Sequence, residues 1–307
     1  MTQENIAVSR NRSESDMVNR ISTVGIAGNI ALTVFKLFAG ITANSGAMVS
    51  DAVHSMSDIF ATLIAFLGVK LSGRKADKEH PYGHERMECV ASMALGVILL
   101  LTGLGIGISG SKTILSGHYE DLEVPGTLAL VAAVVSIAVK EAMYWYTRHY
   151  AKLLNSAAFM ADAWHHRSDA LSSVGSLIGI GGAILGFPVL DPVASVVICL
   201  FILKVAYDIL KDALNKMLDT SCSEEYEKKL ADYICAQEGV VRLDMLHTRM
   251  FGNKIYIDSE IAVDGEKSLR EAHEVAENVH NGVEKNFENI KHIMIHVNPA
   301  EGNATEG

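Results

Sequence analysis

Few cysteines occur in this sequence, and none is spaced as one of a pair. Cys89, Cys199, Cys222 and Cys235 form no C-x-x-C motif and no disulfide pattern, which places the soluble part of the chain at a reducing, cytosolic face. Basic clusters are also missing. The formal net charge is −10, which excludes a nucleic-acid surface and suits a partner that is itself a cation. Residues 1–17 are polar and lack the apolar core of a secretory signal peptide. Neither H-E-x-x-H nor G-x-S-x-G occurs, which argues against a metalloprotease-like or serine-hydrolase-like enzyme.

What the chain does have is apolar sequence, unevenly spread. Of its 307 residues 49% are hydrophobic, and the apolar residues concentrate before about residue 213. Mean hydropathy is +0.22, high for a soluble protein. Six apolar segments are read at roughly 18–41, 44–71, 87–115, 125–146, 156–186 and 190–212, so residues 18–212 are expected to form a six-helix membrane domain. Lys and Arg gather before the first segment, between the second and third, between the fourth and fifth, and after the sixth. The positive-inside rule then puts both termini in the cytoplasm. Residues 213–299 alternate helical and strand patterns in the order α-β-β-α-β, with a turn at Gly252-Asn253, which predicts a small two-layer domain. The polar tail 300–307 is expected to be disordered.

One motif occurs twice. Asn44–Asp58 and Asn155–Asp169 both read N-S-x-A-x-x-x-D-A-x-H-x-x-S-D, sharing eight fixed positions. On a helix, His54 shares a face with Asp58, and His165 with Asp169; Asp51 and Asp162 lie a further turn along. Ionisable groups at membrane depth are expensive and mark ion or proton paths, whereas packing glue would account only for the Asn, Ser and Ala of the motif. The predicted topology makes the copies antiparallel, as in transporters built from inverted repeats. Each His sits roughly 8–11 residues into its span, about 12–16 Å deep, near the middle of a core about 30 Å thick. Two imidazoles and two carboxylates can make one divalent-metal site.

With these motifs in hand, the chain resembles the cation diffusion facilitator family over nearly its whole length. The matching features are His54-x-x-x-Asp58 and His165-x-x-x-Asp169 on spans two and five, Asn44-Ser45, and His80-Pro81-Tyr82-Gly83-His84. The resemblance implies a metal–proton antiporter, not an enzyme: an α-helical membrane protein with six transmembrane helices plus a C-terminal α+β ferredoxin-like cytoplasmic domain, usually homodimeric. It implies a transport site of His54, Asp58, His165 and Asp169, and zinc as the substrate, since members with His first in both motifs are mostly associated with zinc. Those with Asp first tend toward manganese or iron. The donor set itself suits tetrahedral zinc, while ferrous iron, manganese, cadmium and cobalt remain open alternatives. Membrane lipid, the metal ions and a second copy of the chain are the expected partners, and protons the expected counter-ion.

Further sites follow from the same resemblance. Asp77, His80 and His84 resemble a loop metal site found in part of the family; the alternative is a solvated loop shaped by Pro81 and Gly83. Asp244, His247, Glu260, His273 and His296 fall where relatives carry metals that bridge the dimer. Asp244 and Glu260 stand where some relatives have His, and Asn298 where one has Asp. Asp51 and Asp162 are read as outer partners of the histidines, as proton-relay groups, or as hydrogen-bonding groups to a neighbouring helix. His166 faces about 100° away from His165 and is not expected to be a ligand. Arg86 and Asp219 match positions of a charge interlock, Cys89 and Cys199 read as core residues, and two rivals remain: an intramembrane metalloenzyme and a passive metal channel.

Overall fold

The computed structural model describes residues 3–42, 46–117, 127–184 and 190–300. The chain divides into two compact units, Met1–Leu214 and Asn215–Gly307. The first holds helices α1 (Gln3–Thr42), α2 (Gly46–Ser72), α3 (Met87–Ser116), α4 (Thr127–Leu153), α5 (Ala157–Ile184) and most of α6 (Leu190–Met217).

Helix α1 begins well before the first apolar segment because nothing interrupts it: no proline or glycine occurs before Gly25. Helix α4 likewise runs past its apolar stretch to Leu153, and what stops it is the second motif. Asn155 takes a left-handed conformation with φ +49°, and the Ser156 amide donates back to the Ala151 carbonyl at 2.9 Å. The Ser156 hydroxyl then accepts from the Phe159 amide at 3.2 Å and caps α5. The Asn-Ser pair of this copy is thus a helix stop followed by a helix start. Its counterpart Asn44-Ser45 lies outside the described residues.

The unit is apolar outside and polar inside. Phe38, Ile41, Phe60, Leu101, Leu115 and Leu200 are exposed, while Asn29, Lys36, Asp58, Thr62, Lys140, Asp162, His165 and Asp169 are buried. A protein surrounded by water has no reason for this arrangement; hydrocarbon solvent does. Two described helices, Ser15–Ala39 and Met87–Ser116, are by length and composition apolar enough to cross a membrane. Helices α2, α4 and α5 carry most of the charged residues of that interior, which lower their hydropathy.

Helices pack closely through small residues. A Cβ built on Gly68 of α2 would lie 2.2 Å from the Cβ of Ala91 on α3. Gly68→Ala is expected to force the two helices apart and lower stability by about 1–3 kcal/mol. Adding Ala91→Gly should recover most of the loss, read as the melting temperature of the detergent-solubilised protein. A single variant as stable as the parent would contradict this packing.

The second unit contains α7 (Glu224–Cys235), β1 (Arg242–Phe251), β2 (Lys254–Asp264), α8 (Leu269–Asn286) and β3 (Ile290–Ala300). The Ser268 hydroxyl and the Glu271 carboxylate form a reciprocal cap on α8, and Gly252 supplies the φ of +60° that the β1–β2 turn needs. The sheet order is β1-β2-β3, with β1 antiparallel and β3 parallel to β2. Leu230 and Ile234 of α7 and Val275, Val279 and Val283 of α8 join Ile257, Ile261, Val263 and Ile293 in one core, so both helices cover the same face of the mixed sheet. Of the tail 300–307, expected to be disordered, Ala300 is instead the last residue of β3, and 301–307 lie outside the described residues.

Candidate functional site

Helices α2 and α5 meet along their motif faces. His165 Nε2 lies 3.4 Å from Asp58 Oδ1 and 4.0 Å from Asp169 Oδ2, and all three side chains are buried. One turn further, Thr62 donates to Asp162 Oδ1 at 3.2 Å. Moving up α2 from Asp58 to Thr62 means moving down α5 from His165 to Asp162, so the helices run antiparallel where they touch. One ligand atom each of Asp58, His165 and Asp169 lies within 4.8 Å of the others. Donors in a tetrahedral shell at zinc distances stand about 3.4 Å apart, so modest inward movement would close this set on an ion. The side chains of His54 and Asp51 lie outside the described residues.

A cation that the motif analysis missed sits in this cluster. Lys140 of α4 donates to Asp58 Oδ2 at 2.5 Å, to Asp169 Oδ2 at 2.9 Å and to Asn29 Oδ1 at 3.1 Å. The Asn29 amide in turn reaches the Thr62 hydroxyl at 3.4 Å. Residues from α1, α2, α4 and α5 therefore share one buried polar chain, Asp162–Thr62–Asn29–Lys140–Asp58/Asp169–His165. Lysines are rarely buried unless paired, so Lys140 within an apolar stretch was the available signal. Its partners are 29, 82 and 111 residues away, beyond any spacing rule.

Of the three readings of Asp162, the contact with Thr62 of α2 is the hydrogen bond to a neighbouring helix. Asp162 Oδ2 lies 3.6 Å from Nε2 of His166, one turn along, and His166 is fully buried. His166 therefore turns away from the cluster yet not toward lipid. Outside the cluster, Arg167 stacks 4.4 Å over the Tyr144 ring and pairs with Glu141 at 3.3 Å, tying α5 to α4.

The loop residues Asp77, His80 and His84 also converge. Asp77 Oδ1 lies 3.3 Å from His80 Nδ1, and Asp77 Oδ2 lies 3.5 Å from His84 Nε2. Asp77 Oδ1 also accepts from the amides of His80 and Glu79 at 2.7 and 3.0 Å. The His80 amide holds the Asp77 carboxyl below its ordinary pKa, so it stays anionic across the physiological range. The same atoms build a turn and a candidate metal site, so both sequence readings fit.

In the second unit the expected five-residue set does not gather within one chain. Asp244 and Glu260 are joined by Asn298, whose amide donates to them at 3.0 and 3.2 Å. Arg242 pairs with Asp244 as well, and together these donors hold its carboxyl below the usual range. Among the described residues, His247, His273 and His296 form no metal-sized group with them. The β1–β2 register shifts between Leu243 and Met245, at the position of Asp244. Arg86 and Asp219 belong to different units.

Residues 22–218 match the model described as Cation efflux transmembrane domain. The chain belongs to the cation efflux family. Residues 222–300 match the model described as Cation efflux protein, cytoplasmic domain, so both parts of this cation efflux chain fall to one family, the cation diffusion facilitators named by its motifs. That family comprises transporters, not enzymes. The chain is 33% identical over 293 residues to Metal tolerance protein C1 of Arabidopsis thaliana, covering 92% of this chain and spanning 62% of that protein's length. It is 32% identical over 271 residues to Magnetosome protein MamB of Magnetospira sp., covering 88% and 92% respectively. It is 26% identical over 295 residues to the Manganese efflux system protein MneP of Bacillus subtilis, covering 94% and 98%. A solved C-terminal domain of MamM matches at 26% identity, covering 25% of this chain and 98% of that chain, with a TM-score of 0.25.

Proposed function

We propose that this chain exports divalent metal from the cytoplasm as a Zn²⁺/H⁺ antiporter, with His54, Asp58, His165 and Asp169 holding the ion in transit. The buried cluster of Asp58, His165 and Asp169 inside an apolar-coated helical unit carries the reading. Six membrane crossings, cytoplasmic termini, a membrane domain over residues 18–212 and a cytoplasmic domain over residues 213–299 belong to the same proposal, supported by the loop charges and the family match. Metal binding needs deprotonated donors, so protons arriving from outside displace the ion and a pH gradient drives export. Two copies pair through their cytoplasmic domains.

Purified protein in proteoliposomes with an imposed pH gradient tests this. Zn²⁺ flux should follow the gradient and fall when it is dissipated; flux indifferent to the gradient would instead indicate a passive channel. Manganese is the second reading, favoured by the likeness to MneP. Competition by Mn²⁺, Fe²⁺, Cd²⁺ and Co²⁺ against Zn²⁺ separates the two.

Asp77, His80 and His84 are proposed to bind metal at the cytoplasmic entrance. Asp77→Asn keeps an oxygen that can accept the turn's hydrogen bonds but removes the charge. It should weaken Zn²⁺ binding at the loop by about tenfold or more with little change in stability, measured by calorimetry in an Asp58→Asn background. Equal loop binding in both proteins would return Asp77 to a purely structural role.

A further inference from the structure

We propose that Lys140 is a tethered competitor of the transported ion: its ammonium holds the Asp58 and Asp169 carboxylates between transport events, and metal must displace it to bind. This rests on the transport-site assignment above and adds to it a residue outside both motif copies.

The argument is one of position and valence. An ammonium has three donors, and all three of Lys140 are used, on Asp58 Oδ2, Asp169 Oδ2 and Asn29 Oδ1. His165 approaches the other oxygen of Asp58 and stays 4.0 Å from Asp169 Oδ2, beyond hydrogen-bond reach, so the lysine holds its two oxygens without a direct rival. Lys140 thus stands between the two carboxylates that a divalent ion would bridge. Two buried carboxylates balance one ammonium with a negative charge to spare; they do not balance an ammonium and a divalent ion together. In a low-dielectric interior two such cations exclude one another from the same pair of anions. Double charge lets a divalent ion win where a monovalent ion does not.

The displaced ammonium has somewhere to go. Asn29 remains a partner, and Asn29 is linked through Thr62 to Asp162. Asp162 Oδ2 is a buried carboxylate oxygen with no hydrogen-bond partner among the described residues. A buried acceptor left unsatisfied is unfavourable, so Asp162 offers the ammonium a second anionic berth beside the first. Return of the lysine to Asp58 and Asp169 then helps expel the metal, so the residue promotes release as well as opposing binding.

The test uses the full chain in detergent, with His80→Ala and His84→Ala removing the loop site, titrated calorimetrically with ZnCl₂ and separately with MnCl₂. Lys140→Met should bind metal about tenfold or more tighter and release it to a chelator correspondingly more slowly in stopped flow. Unchanged or weaker binding would overturn the proposal. If Lys140→Met does not fold, Lys140→Arg is decisive: its fork keeps the charge and grips carboxylates in two places, so binding should weaken about tenfold or more. Unchanged affinity in that variant would overturn the proposal equally. Asp58→Asn in the same background separates the two claims. If it binds metal like its parent, the transport-site assignment fails. If it loses binding while Lys140→Met binds no tighter, only the role of the lysine fails.

Discussion

Asp58→Ala should abolish metal transport while the protein remains folded. Asp58 touches both His165 and Lys140, and more closely than Asp169 does, so its loss removes a ligand and opens the cluster at its centre. Groups that merely support a metal ligand are worth about 10–100-fold, so a ligand itself should cost about 100-fold or more in flux. Folding is protected because Lys140 keeps Asp169 and Asn29 as partners, leaving no orphaned buried cation. His165→Ala should act as strongly on transport and more gently on structure, since the Asp58–Lys140–Asp169 bridge survives it. The assay is Zn²⁺ uptake into proteoliposomes under a pH gradient, with the elution profile and melting temperature of each variant as the folding control. Full transport by either variant would remove these residues from the metal path.

The largest effect on stability is expected in the second unit. Ile261 lies at the centre of β2, is 0% exposed and touches the core shared with α7 and α8. Ile261→Ala removes three carbons from a packed interior and should cost about 2–5 kcal/mol, the transfer term plus the cavity left behind. Hydrogen exchange on the full chain should then accelerate together across β2, β3 and α8, because the core is one cooperative cluster. Leu269, 88% exposed at the start of α8, provides the control: its alanine variant should exchange like the parent. Exchange confined to β2 would mean that the sheet and α8 do not open as one unit.

Much of the fold is legible in the sequence because it is local. The turn at Gly252-Asn253, the Ser268/Glu271 cap and the α-β-β-α-β order are set by contacts a few residues apart. Helix ends were harder to place. Apolar content predicts where a helix would be buried, not where its hydrogen bonding stops, so α1, α4 and α6 all run beyond their apolar segments. The Asn-Ser of the second motif carries no ligand chemistry at all; in the structure Asn155 and Ser156 stop one helix and cap the next.

Sequence alone determined which donors are available: two copies of an imidazole–carboxylate pair at helical spacing, an apolar half and a charged half, and the family these identify. Only the tertiary structure decided which groups answer one another. Lys140 stands between Asp58 and Asp169, Asp162 faces Thr62 and His166, and Asn298 joins Asp244 to Glu260. Each of those arrangements depends on side chains brought together by helix crossing or strand register. A buried charge must find its partner wherever packing puts one, and the chain's own periodicity carries no record of that distance.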